Sequence, residues 1–176
     1  MPESYKHLDI KSDLYWDIIQ EGVYAEVEKT IGRSRTDVLT QIEDHTLAIE
    51  IQHTRLPLKI ALRRMKQHTL AGYHTLWLFT PELLMYDDLY VRNYKWVLFI
   101  QMLQGGMIFM PSRSPNEIIP ARVDNSLVTR CGELVAGRKV LDIKESISLD
   151  DLTFETTYGY NVTTCKKIEW TIYTGD

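Results

Sequence analysis

Three residues on two neighbouring apolar runs could do chemistry together: Asp37, Glu50 and Gln52. Asp37 opens the run Val38-Leu39-Thr40-Gln41-Ile42, and after Glu43-Asp44-His45 the chain continues as Leu47-Ala48-Ile49-Glu50-Ile51-Gln52. In an extended strand, residues i and i+2 share a face, so Glu50 and Gln52 project to one side while Ile49 and Ile51 pack on the other. If Asp37 starts the neighbouring strand of a hairpin, its carboxylate lies beside Glu50. Two carboxylates and a backbone carbonyl, here that of Ile51, are the hard oxygen ligands Mg²⁺ prefers, with water and a phosphate oxygen completing the octahedron. A cation held this way lowers the pKa of a bound water and stabilises charge on a phosphate during in-line attack. The chemistry expected is therefore phosphodiester hydrolysis with Mg²⁺ (or Mn²⁺) as cofactor. The competing reading takes Glu50 and Gln52 as the solvent face of an amphipathic strand.

The elements that must position these residues are legible from periodicity. Leu8, Leu14, Tyr15, Ile18 and Ile19 recur mostly at spacings of three, four and seven, which predicts a helix ended by Gly22. Val23, Ala25 and Val27 alternate with Tyr24, Glu26 and Glu28, the period of a half-buried strand. Gly32-Arg33-Ser34 reads as a turn, and the two runs carrying Asp37 and Glu50 continue the meander as an antiparallel hairpin. Thr54 reads as a cap for the next helix, which has Pro57 near its first turn and Gly72 at its exit. Residues 73–79 return as a strand, and a strand-helix-strand crossover favours parallel pairing.

Further along, residues 81–90 read as a loop or short helix, and residues 91–106 as a second helix ended by Gly105-Gly106. Residues 107–110 and 117–123 form a hairpin around a polar turn. Beyond Val123 the pattern weakens to candidate strands at 139–143 and 167–173. The expectation is an α/β fold in which residues 1–123 form the main domain and residues 124–176 a β-rich C-terminal extension packed on it.

Composition bounds these readings. A chain of 176 residues with 44% hydrophobic and 25% charged residues suits one soluble globular domain. There is no leader-like segment and no apolar run near the roughly 18 to 20 residues of a membrane helix, so a cytoplasmic protein is expected. Cys131 and Cys165 lack zinc-site spacing and read as reduced thiols, with a disulfide as the alternative. The net charge of −4 argues against indiscriminate coating of nucleic acid but says little about one groove.

A wider pattern surrounds the acidic pair: His7-x3-Lys11, Glu28, Arg35-x-Asp37-Val38, Ala48-Ile49-Glu50-Ile51-Gln52-x-Thr54, Arg64 and Gly72-x4-Trp77. Together these make residues 5–79 resemble the competence protein CoiA-like family of the PD-(D/E)xK nuclease superfamily. That resemblance implies a restriction endonuclease-like core of helix, three-stranded antiparallel meander, helix and strand. It implies that Asp37 and Glu50 hold the metal, that Gln52 takes the place of the superfamily's catalytic lysine, and that Glu28 is the extra acidic residue of the first strand. An amide can orient water through its carbonyl and contact phosphate through its NH₂. His7, Lys11 and Arg35 are implied to approach the phosphate or the acidic cluster. Two departures stand out: Thr54 replaces the family's Ser, and His68 occupies the place of an aromatic Tyr four residues after the helix Arg.

The helix after the motif carries Lys59, Arg63 and Lys66 on one stripe, with Arg55 and Arg64 nearby and no acid among them. In an acidic protein this concentration reads as a phosphate-binding edge, against the plainer reading of a solvated helix face. Leu58, Leu62 and Met65 read as the stripe that packs on the sheet. The apolar helix from Trp96 to Leu103 is either core or a homodimer contact, with core the default. DNA is the expected partner, with no membrane; the family resemblance implies single-stranded or branched DNA, in recombination or DNA uptake, with a recombination protein as a further partner. The alternative is an inactive nucleic-acid-binding module, or one that docks a recombination or phage accessory protein.

Overall fold

A computed structural model describes residues 5–87, 90–91, 95–130 and 133–170. Helix α1, Tyr5–Gln20, buries His7, Lys11, Leu14 and Ile18, one stripe at helical spacing, against the sheet. Strand β1, Ala25–Val27, follows. A small hairpin of β2, Thr30–Ile31, and β3, Ser34–Arg35, turns at Gly32, whose φ of 60° suits a residue without Cβ. Strands β4, Val38–Ile42, and β5, His45–Gln52, pair antiparallel with Val38 opposite Ile49, and β1 pairs antiparallel with β4.

In β1 the expected inward row is only partly realised. Ala25 is buried, whereas Val23 and Val27 are 38% and 45% exposed. The strand lies at the edge of the sheet, pairs for three residues, and ends where Glu28 takes a φ of 55°.

Helix α2, Leu58–Leu70, buries Ala61, Met65 and His68, with Leu58 and Leu62 packed partly buried beside them. Thr54 does not cap this helix. Pro57 holds the N-cap position without a side-chain cap, and the Thr54 carbonyl instead accepts from Gln52 Nε2 at 2.7 Å. Thr54 lies too far upstream to reach the first turn once Pro57 has opened it. Strand β6, His74–Phe79, runs parallel to β5 with Trp77 opposite Glu50. Ile49, Ile51, Leu76 and Leu78 pack in the cluster that includes α1, while Trp77 and Phe79 pack with Met65 of α2.

Next come α3, Pro81–Leu84, β7, Met85–Asp87, and β8, Tyr90–Val91. Helix α4, Lys95–Leu103, begins later than its apolar pattern predicts, and residues 92–94 lie outside the described residues. Trp96, Val97, Ile100 and Leu103 are buried in the Trp77 cluster, so this helix serves the core. The remaining strands are β9, Ile108–Pro111, β10, Glu117–Arg130, β11, Glu133–Ile143, β12, Ile147–Ser148, β13, Thr153–Thr157, and β14, Tyr160–Thr164.

The main sheet runs β1-β4-β5-β6-β9-β10-β11. The far edge of β6 is shared: Leu78 faces Phe109 of β9, and Thr75 faces Val162 of β14. The division expected at 123/124 falls inside β10, and β14 joins the same sheet as the motif strands. The strand expected at 167–173 is not formed in the described part: residues 165–170 lie in turn and irregular backbone, and 171–173 lie outside the described residues. The exposed Lys166 and Lys167 explain this, since they carry charge into solvent where a strand would need a buried face; Lys167 pairs with Asp151. Cys165 is a buried free thiol, and Cys131 lies outside the described residues.

The whole is a mixed α/β structure with a mostly antiparallel sheet and few helices, compatible with a nuclease-like fold. Among the described residues no helix is long and apolar enough to cross a membrane. Because Ile49 is fully buried under α1, Ile49→Ala should cost about 2–5 kcal/mol in urea unfolding. Leu70→Ala, at 78% exposure, should stay within about 0.5 kcal/mol, and equal losses would contradict this core assignment.

Candidate active site

Glu50 sits on the β5 face that α2 covers and is 1% exposed. Its Oε2 lies 3.5 Å from Arg64 Nη1 and its Oε1 lies 3.3 Å from His68 Nε2. The Oε1–Nε2 contact is close but not aligned as a hydrogen bond, and neither atom has another hydrogen-bond partner among the described residues. The other ring nitrogen of His68, Nδ1, lies 2.8 Å from Thr75 Oγ1. Burial, and then the charge of Asp37, push the Glu50 carboxyl up to about 8, against the opposing pull of Arg64. Burial and the Arg64 charge push the His68 imidazole down to about 4.

Asp37 stands one residue before β4, so the pairing of Val38 with Ile49 carries it toward Glu50. Its Oδ2 accepts from the Ile51 backbone N–H at 2.8 Å and lies 3.4 Å from His7 Nε2. That same His7 nitrogen lies 2.9 Å from the Ile51 carbonyl oxygen. A carbonyl can only accept, so Nε2 carries the hydrogen. His7 is buried in α1 and stacks on His53, with ring centroids 5.3 Å apart. Thr36, also buried, donates to the Ile49 carbonyl at 3.1 Å and fixes the approach of Asp37. Gln52, at the end of β5, turns its amide nitrogen to Thr54.

Glu28 follows β1, and its backbone N–H donates to the Asp37 carbonyl at 3.0 Å. Its side chain accepts from the buried Lys11 at 2.9 Å and pairs with the exposed Arg35 at 3.5 Å. The Lys11 hydrogen bond and charge hold the Glu28 carboxyl below its usual range. His7, Lys11, Glu28, Arg35, Asp37 and Ile51 are thus linked through contacts at one end of the meander, and Asp37 acts on Glu50 beside them through its charge. Lys59, Arg63 and Lys66 are exposed on the side of α2 opposite Ala61 and Met65. Of the four basic residues expected on this helix, Arg64 makes the contact with Glu50.

The donor set suits a hard cation. Two carboxylates repel each other across the hairpin, and one buried Glu50 oxygen has no hydrogen bond. Among the described residues no three His, Cys, Asp or Glu side chains form a metal-holding group, so a cation here would draw on Asp37, Glu50 and the Ile51 carbonyl. One or two carboxylates completed by water and phosphate is the usual protein share of a Mg²⁺ site. Two clefts of about 640 and 550 Å³, along β1 and between α1 and the β9–β10 turn, are lined by neither Asp37 nor Glu50. His45 and His74 meet against Phe154 at the other end of β5 without a third ligand among the described residues.

Sequence reasoning marked His68 as the residue in the place of the family's Tyr, without its contact with Glu50, and left Thr75 out of the site. The available signal for the contact was the four-residue spacing of Arg64 and His68, which puts both on the flank of α2 that meets the Glu50 face of β5.

The shifted pair has a pH signature. Folded Glu50 keeps its proton to about pH 8 while an unfolded one releases it near 4.5, so its contribution to stability falls as pH rises through that window. Folded His68 refuses a proton down to about pH 4 while an unfolded one takes it near 6.5, so its contribution rises with pH there. The two oppose each other below pH 6.5, and above it Glu50 acts alone. Without divalent cation, the parent should lose on the order of 2 kcal/mol between about pH 6.5 and 8, and Glu50→Gln should abolish that loss. Urea midpoints at the two pH values measure it; an unchanged decline in the variant would assign it to another group.

No curated protein and no solved structure matches the chain at a significant level. The family model described as competence protein CoiA, nuclease-like domain, matches residues 3–156. With the match covering most of its length, the chain belongs to the CoiA nuclease-like domain family.

Proposed function

We propose that this protein is a Mg²⁺- or Mn²⁺-dependent deoxyribonuclease of the PD-(D/E)xK type. Its restriction endonuclease-like core would be α1, the β1-β4-β5 meander, α2 and β6. The reading is carried by one observation: the pairing of Val38 with Ile49 brings Asp37, one residue before β4, near enough to Glu50 for its charge to act on it, and one buried Glu50 oxygen has no hydrogen bond among the described residues. Asp37, Glu50 and the Ile51 carbonyl would hold the cation. When bound, it supplies charge for the phosphate and acidity for a water. Asp37 is the more accessible carboxylate, with its side chain 16% exposed against 2% for Glu50, so the substrate side of the site is the Asp37 side.

Gln52 orients the attacking water through its carbonyl, because its amide nitrogen is engaged by Thr54. An amide does not act as the base, and the proton leaves by way of the phosphate or solvent. Glu28 keeps Lys11 and Arg35 beside the acidic end, where they supply positive charge to the substrate backbone, with His7 next to them on α1. Lys59, Arg63 and Lys66, outward on α2, meet phosphates away from the reacting one, and Arg64 balances the carboxylate of Glu50. The family's link with competence supports single-stranded or branched DNA, handled in recombination or DNA uptake in the cytoplasm, as substrate.

A second reading keeps the fold without the chemistry, as a nucleic-acid-binding or partner-docking module. What favours it is that Arg64 and His68 already stand against both Glu50 oxygens. Cleavage of single-stranded, duplex and branched DNA with Mg²⁺ or Mn²⁺ separates the two. Asp37→Ala and Glu50→Ala should each lower turnover roughly 100-fold or more, and Gln52→Ala about tenfold. Equal cleavage by parent and Glu50→Ala would mark a contaminant and sink the assignment, while DNA binding by the parent with no cleavage by it under either ion, and unchanged affinity in Asp37→Ala, would select the second reading.

A further inference from the structure

A carboxylate that is 1% exposed has no bulk water to set its orientation, so the protein must set it. Both oxygens of Glu50 are met from α2, Oε2 by Arg64 and Oε1 by His68. The contact at His68 joins two atoms with no other hydrogen-bond partner among the described residues. Buried polar atoms are costly to leave alone, which makes each the other's partner as the site tightens. The His68 ring is itself fully buried, and Thr75 Oγ1 at 2.8 Å fixes its rotation.

Thr75 is held in turn by the C-terminal hairpin. Its backbone carbonyl accepts from Thr163 Oγ1 at 3.2 Å, and it is the β6 residue that pairs with Val162 of β14. One residue earlier, Asn161 donates its backbone N–H to Thr69 Oγ1 at 3.0 Å and its side-chain amide to the Tyr73 carbonyl at 3.2 Å. The last turn of α2, its connection to β6 and the first residues of β6 are therefore tied to β14. A continuous set of contacts runs from β14 through Thr75 and His68 to Glu50.

We infer that His68 is a positioning residue for Glu50 and that the hairpin of β13 and β14 is the brace that holds it in place. The inference rests on the reading of Glu50 as a cation-holding residue. Groups that orient a metal ligand without touching the metal typically matter by about 10- to 100-fold in affinity or turnover. His68→Phe keeps the ring volume and removes both nitrogens. His68→Gln keeps a nitrogen near the Nε2 position. Thr75→Val and Thr163→Val each remove one hydroxyl from the brace.

The test is Mn²⁺ binding to the full chain by calorimetry, alongside kcat and KM for DNA cleavage and the melting temperature without metal. His68→Phe should weaken Mn²⁺ binding and lower kcat by about tenfold or more, with KM for DNA within about twofold. His68→Gln should recover most of both losses. Thr75→Val and Thr163→Val should each give a smaller loss in the parent, and Thr75→Val no further loss when added to His68→Phe, because Thr75 acts through His68. Should His68→Phe fail to fold, Thr75→Val decides: a folded variant that binds Mn²⁺ as tightly as the parent overturns the inference. Parent-like binding and turnover in His68→Phe, with both lost in Glu50→Ala, would reject the positioning role and leave the nuclease reading standing. Parent-like behaviour of Glu50→Ala in both measurements would reject that reading and the inference together.

Discussion

The burial of one carboxylate beneath a helix is the constraint on which the rest depends. Glu50 lies in the middle of the sheet, opposite Trp77 on one strand and approached by Asp37 on the other. A lone charge there would be expensive, and the protein manages it in two ways. It raises the proton affinity of the group, and it brings Arg64 and His68 within ion-pair distance. Either arrangement requires α2 to lie on the Glu50 face, which in turn requires the β5-α2-β6 crossover and the parallel pairing that follows from it.

The two faces of the sheet divide the labour. On one, α1 contributes apolar residues together with His7 and Lys11, whose polar ends meet Ile51 and Glu28 at the margin of the core. On the other, α2 and α4 build the Trp77 cluster, and a polar group formed by Glu50, Arg64, His68 and Thr75 lies beside it. Polar atoms confined at such points have one another within reach, by hydrogen bond at Thr75 and by ion-pair distance at Arg64 and His68. A change at any of them therefore propagates more readily than a change at a purely apolar position would.

Much of this was legible in the sequence wherever local periodicity and tertiary demand agree. The alternation of β5 puts Glu50 and Gln52 on one face, and a Pro near the start of α2 and a Gly past its end bracket that helix to within a residue or two. Legibility ended where a partner distant in sequence decides. His68 reads as a substitute for an aromatic residue, and only the fold shows that Thr75 and Glu50 close around it. Thr54 reads as a cap until Gln52 bends its amide back onto it. Lys59, Arg63 and Lys66 read as a stripe, but only the packing of Ala61 and Met65 says that this stripe faces outward. The weak patterning beyond Val123 hid strands whose pairing is set by β10 and β6 rather than by their own composition.

The shared edge of β6 carries a consequence for how the molecule comes into being. Residues 5–79 contain every side chain proposed for the chemistry, yet Thr163 reaches Thr75 across 88 positions and Asn161 reaches Thr69 across 92. A ribosome-bound chain of the first hundred residues thus carries every side chain proposed for the chemistry while the far edge of β6 stands open, since β9 and β14 are still to be made. Contacts this distant in sequence close late and slowly. Completion of the proposed site is in this way deferred until the hairpin of β13 and β14 has been made and docks on β6.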